Sequence, residues 1–277
     1  MVELGKYNTL RVVKILDFGV YLDGGSSGEI LLPSRYVPES CQEGDSIVVF
    51  VCLDSEDRLI ATTQRPYAQV GEFSLLRVNA VNRYGAFLDW GLMKDILVPF
   101  REQKTSMQPG RSYLVYIYVD HATNRIVASA KIEKFLDNTP PDYSHNQEVD
   151  LIVDRQTDLG YRVIINNLHS GIVYHNEIFC RMDKGARMKG YIKQIRPDGK
   201  IDVSLQPLGY AYIDSLAPKI LDTLTKNGGV LPLSDKSSSE EIASYFSCSK
   251  KNFKKAIGAL YKERKISIYE DRIELCQ

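Results

Sequence analysis

The residues that usually carry catalysis or metal chemistry are scarce in this sequence. Its 277 residues include one Trp, four His and five Cys. The cysteines (Cys41, Cys52, Cys180, Cys248, Cys276) are odd in number and scattered, and no CxxC occurs, so zinc-cluster and redox-motif readings have no support. They read as reduced, mostly buried thiols. No GxxxxGK phosphate loop is present. The histidines (His121, His145, His169, His175) have no evident Asp or Cys partner set. His121 and His169 fall in predicted turns and His145 in a linker. Asp54, Asp120 and Asp202 belong to separate units, whereas nuclease chemistry needs clustered carboxylates for its metal ions. An enzyme is therefore the poorest reading, and no cofactor or metal is expected. The densest apolar run, Ile47 to Leu53, is far short of the ~20 residues that span a bilayer. Met1-Val2-Glu3-Leu4-Gly5 opens without a signal-peptide pattern. A cytoplasmic protein with no membrane partner is expected. Neither sign of charge prevails, since 35 basic and 35 acidic side chains cancel.

What is present is tyrosine, 17 residues of it, lying near glycine in short alternating runs. These runs repeat. FGVYL at 18–22 matches YGAFL at 84–88, an offset of 66. At the same offset Glu29-Ile30-Leu31-Leu32-Pro33 matches Asp95-Ile96-Leu97-Val98-Pro99, and Gly44 matches Gly110. Arg58-Leu59-Ile60-Ala61 matches Arg125-Ile126-Val127-Ala128 with a shift of one. A fainter third copy lies 75 residues on, where Gly85 maps to Gly160, Gly110 to Gly185 and Arg125 to Lys200.

Each unit reads as about five short strands separated by turn signals such as Asp23-Gly24-Gly25 and Pro197-Asp198-Gly199. Gly44, Gly110 and Gly185, just before the fourth strand, suit a positive backbone angle. So many strands in so few residues predict a small closed OB-type barrel, because closure removes exposed edges. The expected fold is mainly β, with three tandem five-stranded barrels at 1–65, 66–142 and 143–208, then an α/β domain at 209–277.

FGVYLD…GEILLP…RLIATT and YGAFLDW…KDILVP…RIVASAK resemble the RNA-binding domain first seen in ribosomal protein S1. GIVYHNEI…KGYIKQI…KIDVSLQ is similar in its later half. The resemblance implies base stacking by the aromatics that flank the glycine, Phe18 and Tyr21 in unit one and Tyr84 and Phe87 in unit two. Unit three has Leu159 and Arg162 at those positions, and Arg162 can also stack. The family's histidine falls at Leu32 and Val98, with Tyr174 as the counterpart in unit three. Arg58, Arg125 and Lys200 on the fifth strand are candidate phosphate contacts.

After Pro207 the period changes. Ile213, Leu216, Ala217, Ile220, Leu221 and Leu224 mark one helix face, ended by Asn227-Gly228-Gly229. Ser237/Glu240 or Ser238/Glu241 forms a capping box for a second helix that buries Ile242, Tyr245 and Phe246. A third helix over 250–264 has Phe253, Ala256, Ile257, Leu260 and Tyr261 as its apolar residues, and a hairpin over 265–275 follows. Three helices and a hairpin resemble a winged helix-turn-helix, with the third helix as recognition candidate. On that helix Lys251, Lys255 and Lys262 share a face, flanked by Lys250 and Lys254. Asn252 is the only good base-reading side chain in its first turns, which favours phosphate contact over sequence reading.

Three S1-like units followed by a winged helix resemble the conserved virulence factor B family of bacterial RNA-binding proteins. SKKNFKKAIGALYKERKI and the GEILLP and KDILVP blocks carry that resemblance. It implies single-stranded RNA binding and post-transcriptional regulation, and a pyrimidine-rich strand is the expected ligand. A DNA-binding transcription regulator and a protein-interaction adaptor stay open as alternatives. The zero net charge also divides: 1–65 is net acidic, while the basic residues Lys184, Arg187, Lys189, Lys193, Arg196 and Lys200 crowd into 184–200. Phosphate contact is thus expected at unit three and the winged helix.

Overall fold

The structure, a computed structural model, describes residues 1–207 and 210–276. The side chains of 210–215 are not described, so the expected core position of Ile213 lies outside the described residues. The chain divides into two compact units, Met1–Leu136 and Asp137–Gln277.

The first unit holds two barrels. Barrel one is β1 (Tyr7–Leu16), β2 (Gly19–Asp23), β3 (Glu29–Pro33), β4 (Ser46–Leu53) and β5 (Leu59–Thr62). Barrel two is β6 (Phe73–Asn82), β7 (Gly85–Asp89), β8 (Ile96–Pro99), β9 (Ser112–Asp120) and β10 (Arg125–Ser129). The second unit begins with barrel three: β11 (Glu148–Thr157), β12 (Gly160–Ile165), β13 (His169–Tyr174), β14 (Arg187–Ile195) and β15 (Ile201–Ser204). All three sheets close. In each, the third strand pairs parallel with the fifth, as at Leu31↔Ile60 and Val127↔Leu97.

Strand alternation explains closure. Val20 and Leu22 point into barrel one, while Tyr21 between them faces out. The repeat is exact enough to reproduce an irregularity. A bulge falls at Val12/Lys14, Val78/Ala80 and Val153/Arg155, at the same offsets as the glycines. Such a bulge bends the first strand around the barrel. The glycine after each hairpin turn has a steric cause. A Cβ on Gly19, Gly85 or Gly160 would sit 2.3, 2.3 or 2.0 Å from a carbonyl oxygen of the next strand, and φ there is 151–155°.

The same register corrects one alignment. Gly19, Gly85 and Gly160 pair with Pro33, Pro99 and Tyr174. Tyr174 is therefore the counterpart of the two prolines. The counterpart of Leu32 and Val98 is Val173, and all three of these are fully buried.

In the first unit the two barrels share a core. Phe50 of β4 is fully buried and packs among barrel-two residues. Its ring lies edge-on to Trp90 at 5.6 Å and to Tyr7 at 5.5 Å. Removing a Phe of this size from water contributes about 2–3 kcal/mol. Around it, Val70 N donates to Gly5 O (2.9 Å) and Tyr7 N to the Gln69 side chain (2.9 Å). Arg125 of barrel two pairs with Asp57 of barrel one.

In the second unit the winged helix consists of α1 (Tyr210–Lys226), β16 (Val230–Leu231), α2 (Ser239–Phe246), α3 (Lys250–Lys262), β17 (Ile266–Ile268) and β18 (Ile273–Leu275). The three strands form one sheet, ordered β16-β18-β17. Leu216, Ile220, Leu224, Ile242, Phe253 and Ile257 lie in its core. The capping box is Ser238/Glu241. Tyr245, expected inside, is exposed, and so is Tyr261 of the third helix's apolar set, one residue beyond the buried Leu260 and hence about 100° around the helix. All five cysteines are free. They are not mostly buried: Cys180 and Cys276 are exposed in irregular chain, Cys41 and Cys52 are partly buried, and only Cys248 is buried. His169 starts β13 rather than sitting in a turn, and it is buried. Its Nδ1 bonds the Tyr143 hydroxyl at 2.7 Å and its Nε2 the Thr139 carbonyl at 2.8 Å.

Candidate nucleic-acid interface

The expected stacking residues of barrels one and two lie where strand geometry makes them accessible. Phe18 and Tyr84 occupy two-residue hairpin turns and are more than half exposed. Tyr21 and Phe87 follow on the outward faces of β2 and β7 and are half-buried. Phe18 and Tyr21 meet edge to face at 6.2 Å. Each barrel adds a cation over one ring: Lys14 Nζ lies 4.5 Å from the Tyr21 ring centre, and the Arg83 guanidinium lies 4.9 Å from that of Tyr84. Both contacts were missed in the sequence. The Lys14–Tyr21 contact crosses from β1 to β2, so it needs the bulge-shifted register to be seen.

Cross-strand neighbours complete a row. Tyr21 pairs with Leu31 and Leu31 with Ile60; Phe87 pairs with Leu97 and Leu97 with Val127. Both rows are apolar, and where such a row is accessible, as at the half-buried Tyr21, Leu31, Phe87 and Leu97 but not at the buried Val127, it accepts the flat face of a base.

In barrel three the corresponding row is Arg162, Ile172 and Asp202. Asp202 is buried, and it receives Arg196 (2.8 Å), Gln194 (2.7 Å) and the Tyr174 hydroxyl (3.3 Å). Arg196 also bonds the Tyr174 hydroxyl. Beside it, buried Asp154 receives Arg155 (3.1 Å) and faces Arg162 (3.6 Å). The polar ends of Arg162 and Tyr174 are thus engaged within the barrel.

The candidate phosphate contacts expected on the fifth strand are ion-paired in all three barrels, and only Arg125 lies in that strand, Arg58 and Lys200 standing one residue before it. Arg58 is held by Asp54 and Glu56, Arg125 by Asp57, and Lys200 by Asp198. Hydrogen bonding from Arg125 holds the Asp57 carboxyl below the usual carboxylate range. Within 184–200, Lys189 binds Asp150 and Glu148, Lys193 binds Glu177, and Arg196 binds Asp202. Lys184 and Arg187 are exposed. On α3, Lys254 reaches Asp235 at 3.4 Å and Lys250 donates to the Lys236 carbonyl at 3.3 Å. Lys251, Lys255 and Lys262 are exposed and have no carboxylate partner among the described residues.

Asn252, the one good base-reading side chain in the first turns of α3, is occupied. Its Nδ2 donates to Gln206 Oε1 (3.1 Å), and Gln206 Nε2 donates to the Ser247 carbonyl (2.6 Å). The chain leaving barrel three therefore ties the start of α3.

Among the described residues no group of three or more His, Cys, Asp or Glu could hold a metal ion, and no helix is long and apolar enough to cross a membrane.

Closed barrels with exposed rings beside cations, followed by a winged helix with a lysine strip, define a nucleic-acid-binding protein. Comparison with known families agrees. A model described as an S1 domain matches residues 4–64 and again 70–131, and one described as a CvfB-like winged helix domain matches 218–275. Both are non-catalytic nucleic-acid-binding folds. Among relatives, an uncharacterized Bacillus subtilis protein, YitL, is 29% identical across 95% of this chain and 90% of its own. Conserved virulence factor B of Staphylococcus aureus is 27% identical across 98% of this chain and 94% of its own. A solved Streptococcus pneumoniae structure, described as a multidomain protein with nucleic acid binding domains, is 26% identical, covers 98% of both chains and has a TM-score of 0.41. The chain belongs to the conserved virulence factor B family.

Proposed function

We propose that the protein binds single-stranded RNA and acts in the bacterial cytoplasm as a post-transcriptional regulator. One observation carries the reading: barrels one and two each hold an exposed ring in the same hairpin turn, Phe18 and Tyr84, and a cation over one aromatic ring, Arg83 over Tyr84 itself and Lys14, which also pairs with Glu29, over the half-buried Tyr21. That combination suits unpaired bases with adjacent phosphates. In this reading Phe18, Tyr21, Tyr84 and Phe87 stack on bases. Arg162 and Tyr174 join them only by leaving their carboxylates. Lys251, Lys255 and Lys262 contact phosphates, with Lys250, Lys254, Lys184 and Arg187 beside them. Arg58, Arg125, Lys189, Lys193 and Lys200 do so by exchanging a carboxylate for a phosphate. The division into barrels at 1–65, 66–142 and 143–208 and a winged helix at 209–277 is part of the same proposal.

The tie between Gln206 and Asn252 favours RNA over sequence-specific DNA reading, because a groove-reading helix uses the side chains of its first turns. The test is fluorescence polarisation of labelled pyrimidine-rich RNA, the matching single-stranded DNA and duplex DNA at two salt concentrations. RNA is expected to bind most tightly, with affinity falling steeply as salt rises. Preference for the duplex would sink the proposal.

A further inference from the structure

The three hairpin lips are built alike but carry different side chains. Their turns are Asp17-Phe18, Arg83-Tyr84 and Asp158-Leu159. The strand pairs Gly19↔Pro33, Gly85↔Pro99 and Gly160↔Tyr174 bring one further residue beside each turn: Ser34, Phe100 and His175. Backbone bonds from Ser34 N to Phe18 O (2.9 Å) and from His175 N to Leu159 O (3.2 Å) mark that adjacency in barrels one and three. The next residues are Arg35, Arg101 and Asn176.

Only barrel two thus has two aromatic residues at its lip with an arginine next to each. Tyr84 is 58% exposed and Phe100 is 53% exposed. Phe100 is fixed in place. It starts a 3-10 turn after Pro99, and Gln103 N donates back to its carbonyl at 3.1 Å. The Gln103 side chain is itself buried, bonded to the Val98 carbonyl and the Met107 amide. Arg83 lies over Tyr84 and donates to its hydroxyl at 2.8 Å. Arg101 pairs with Asp120 at 3.3 Å yet stays largely exposed. In barrels one and three, the position of Arg83 is an aspartate, which repels phosphate.

Resting on the single-strand reading above, we propose that the lip of barrel two is the main stacking platform of the protein. Two neighbouring bases of one RNA strand lie on Tyr84 and Phe100, and Arg83 meets the phosphate between or beside them. A phenyl ring and a phenol rank bases by stacking strength and not by hydrogen-bond pattern, so the platform tolerates many sequences.

The test uses the full-length protein and a fluorescein-labelled oligouridylate in polarisation titrations. Tyr84→Ala and Phe100→Ala are each expected to weaken binding by roughly five- to a hundredfold. Phe100→Tyr, which keeps the ring, should bind as the wild type does. Arg83→Asp, which copies the other two lips, should weaken binding without moving the thermal midpoint. Phe18→Ala should matter less than Tyr84→Ala. Wild-type affinity in Phe100→Ala, or a larger loss in Phe18→Ala than in Tyr84→Ala, overturns the platform while the RNA-binding reading survives. Failure of the wild-type protein to bind the oligouridylate overturns that reading itself.

Discussion

Barrels two and three share strand order, bulge and hairpin register, yet the outward row across their second, third and fifth strands differs in kind. In barrel two it is Phe87, Leu97 and Val127. In barrel three it is Arg162, Ile172 and Asp202, with Asp154 and Arg196 around it. The inward residues are interchangeable aliphatics: Leu88 and Val98 in one, Val163 and Val173 in the other, all fully buried. Closure depends on the inward set alone. The outward row is therefore free to become either an apolar row, with Phe87 and Leu97 half-buried and Val127 buried, or a closed ionic network. The first can receive a base. The second is already satisfied, and its acids offset its own arginines.

The comparison breaks most visibly at Asp202. Removing a buried acid whose partners are an arginine, an amide and a phenol leaves Arg196 without its counter-charge. Asp202→Ala should cost about 3–5 kcal/mol in urea unfolding. Asp202→Val combined with Arg196→Met imitates barrel two and should recover much of that loss, because well-packed apolar replacements of a buried pair are close to neutral. A single substitution costing less than about 1 kcal/mol, the scale of an exposed pair, would mean that the outward face of barrel three is not a closed network.

Much of the barrel architecture is legible in the sequence because it is set locally. Alternation, the hairpin glycines and the offsets of 66 and 75 depend on neighbours a few residues apart, and the bulges fall at those same offsets. The winged helix shows itself through period, caps and Gly228-Gly229 for the same reason. What escaped depends on pairing across the chain. The run 184–200 looks like a basic patch, but its counter-charges come from β11 (Glu148, Asp150), from Glu177 after β13 and from β15 (Asp202). Asn252 looks free until Gln206, 46 residues earlier, is found against it. Tyr174 was misplaced by one position because only the pairing with Gly160 sets its register.

The lysines sharpen the comparison at a smaller scale. Lys251, Lys255 and Lys262 have no carboxylate partner among the described residues, whereas Lys189, Lys193 and Lys200 each have at least one. Neutralising a phosphate releases counterions only if the cation is not already neutralised by the protein. Changing the α3 trio to Ala should reduce the slope of log K against log salt by about 2, roughly a hundredfold in affinity at about 0.1 M salt. Changing the barrel-three trio should move the slope by less than about 1. Equal slopes for the two variants would show that strand-borne lysines exchange partners freely and that the ion pairs do not mark a silent surface.

The smallest expected effect concerns where barrel two keeps its own buried acid. Glu102 ends the 3-10 turn that Phe100 begins, beside the end of β10, where it accepts from Ser129 Oγ (2.5 Å) and Lys134 Nζ (2.7 Å). Burial alone would raise its pKa, but the bonds from Lys134 and Ser129 outweigh it and hold the carboxyl below its usual range. A depressed folded pKa contributes stability that is fully present above the unfolded value, about 4.3, and is lost as pH falls through the folded one. Glu102→Gln should therefore lower stability by about 1 kcal/mol or less at neutral pH. Below the usual glutamate range the wild type should lose this advantage, so the thermal midpoints of the two proteins converge on acidification. Because Gln keeps the shape of the side chain and an acceptor oxygen for Ser129 and Lys134, the turn should hold its place and RNA affinity at neutral pH should be unchanged in this variant. A loss of affinity there would mean that the acid positions the 3-10 turn bearing Phe100, and that the apolar row does not act apart from the ionic end of its barrel.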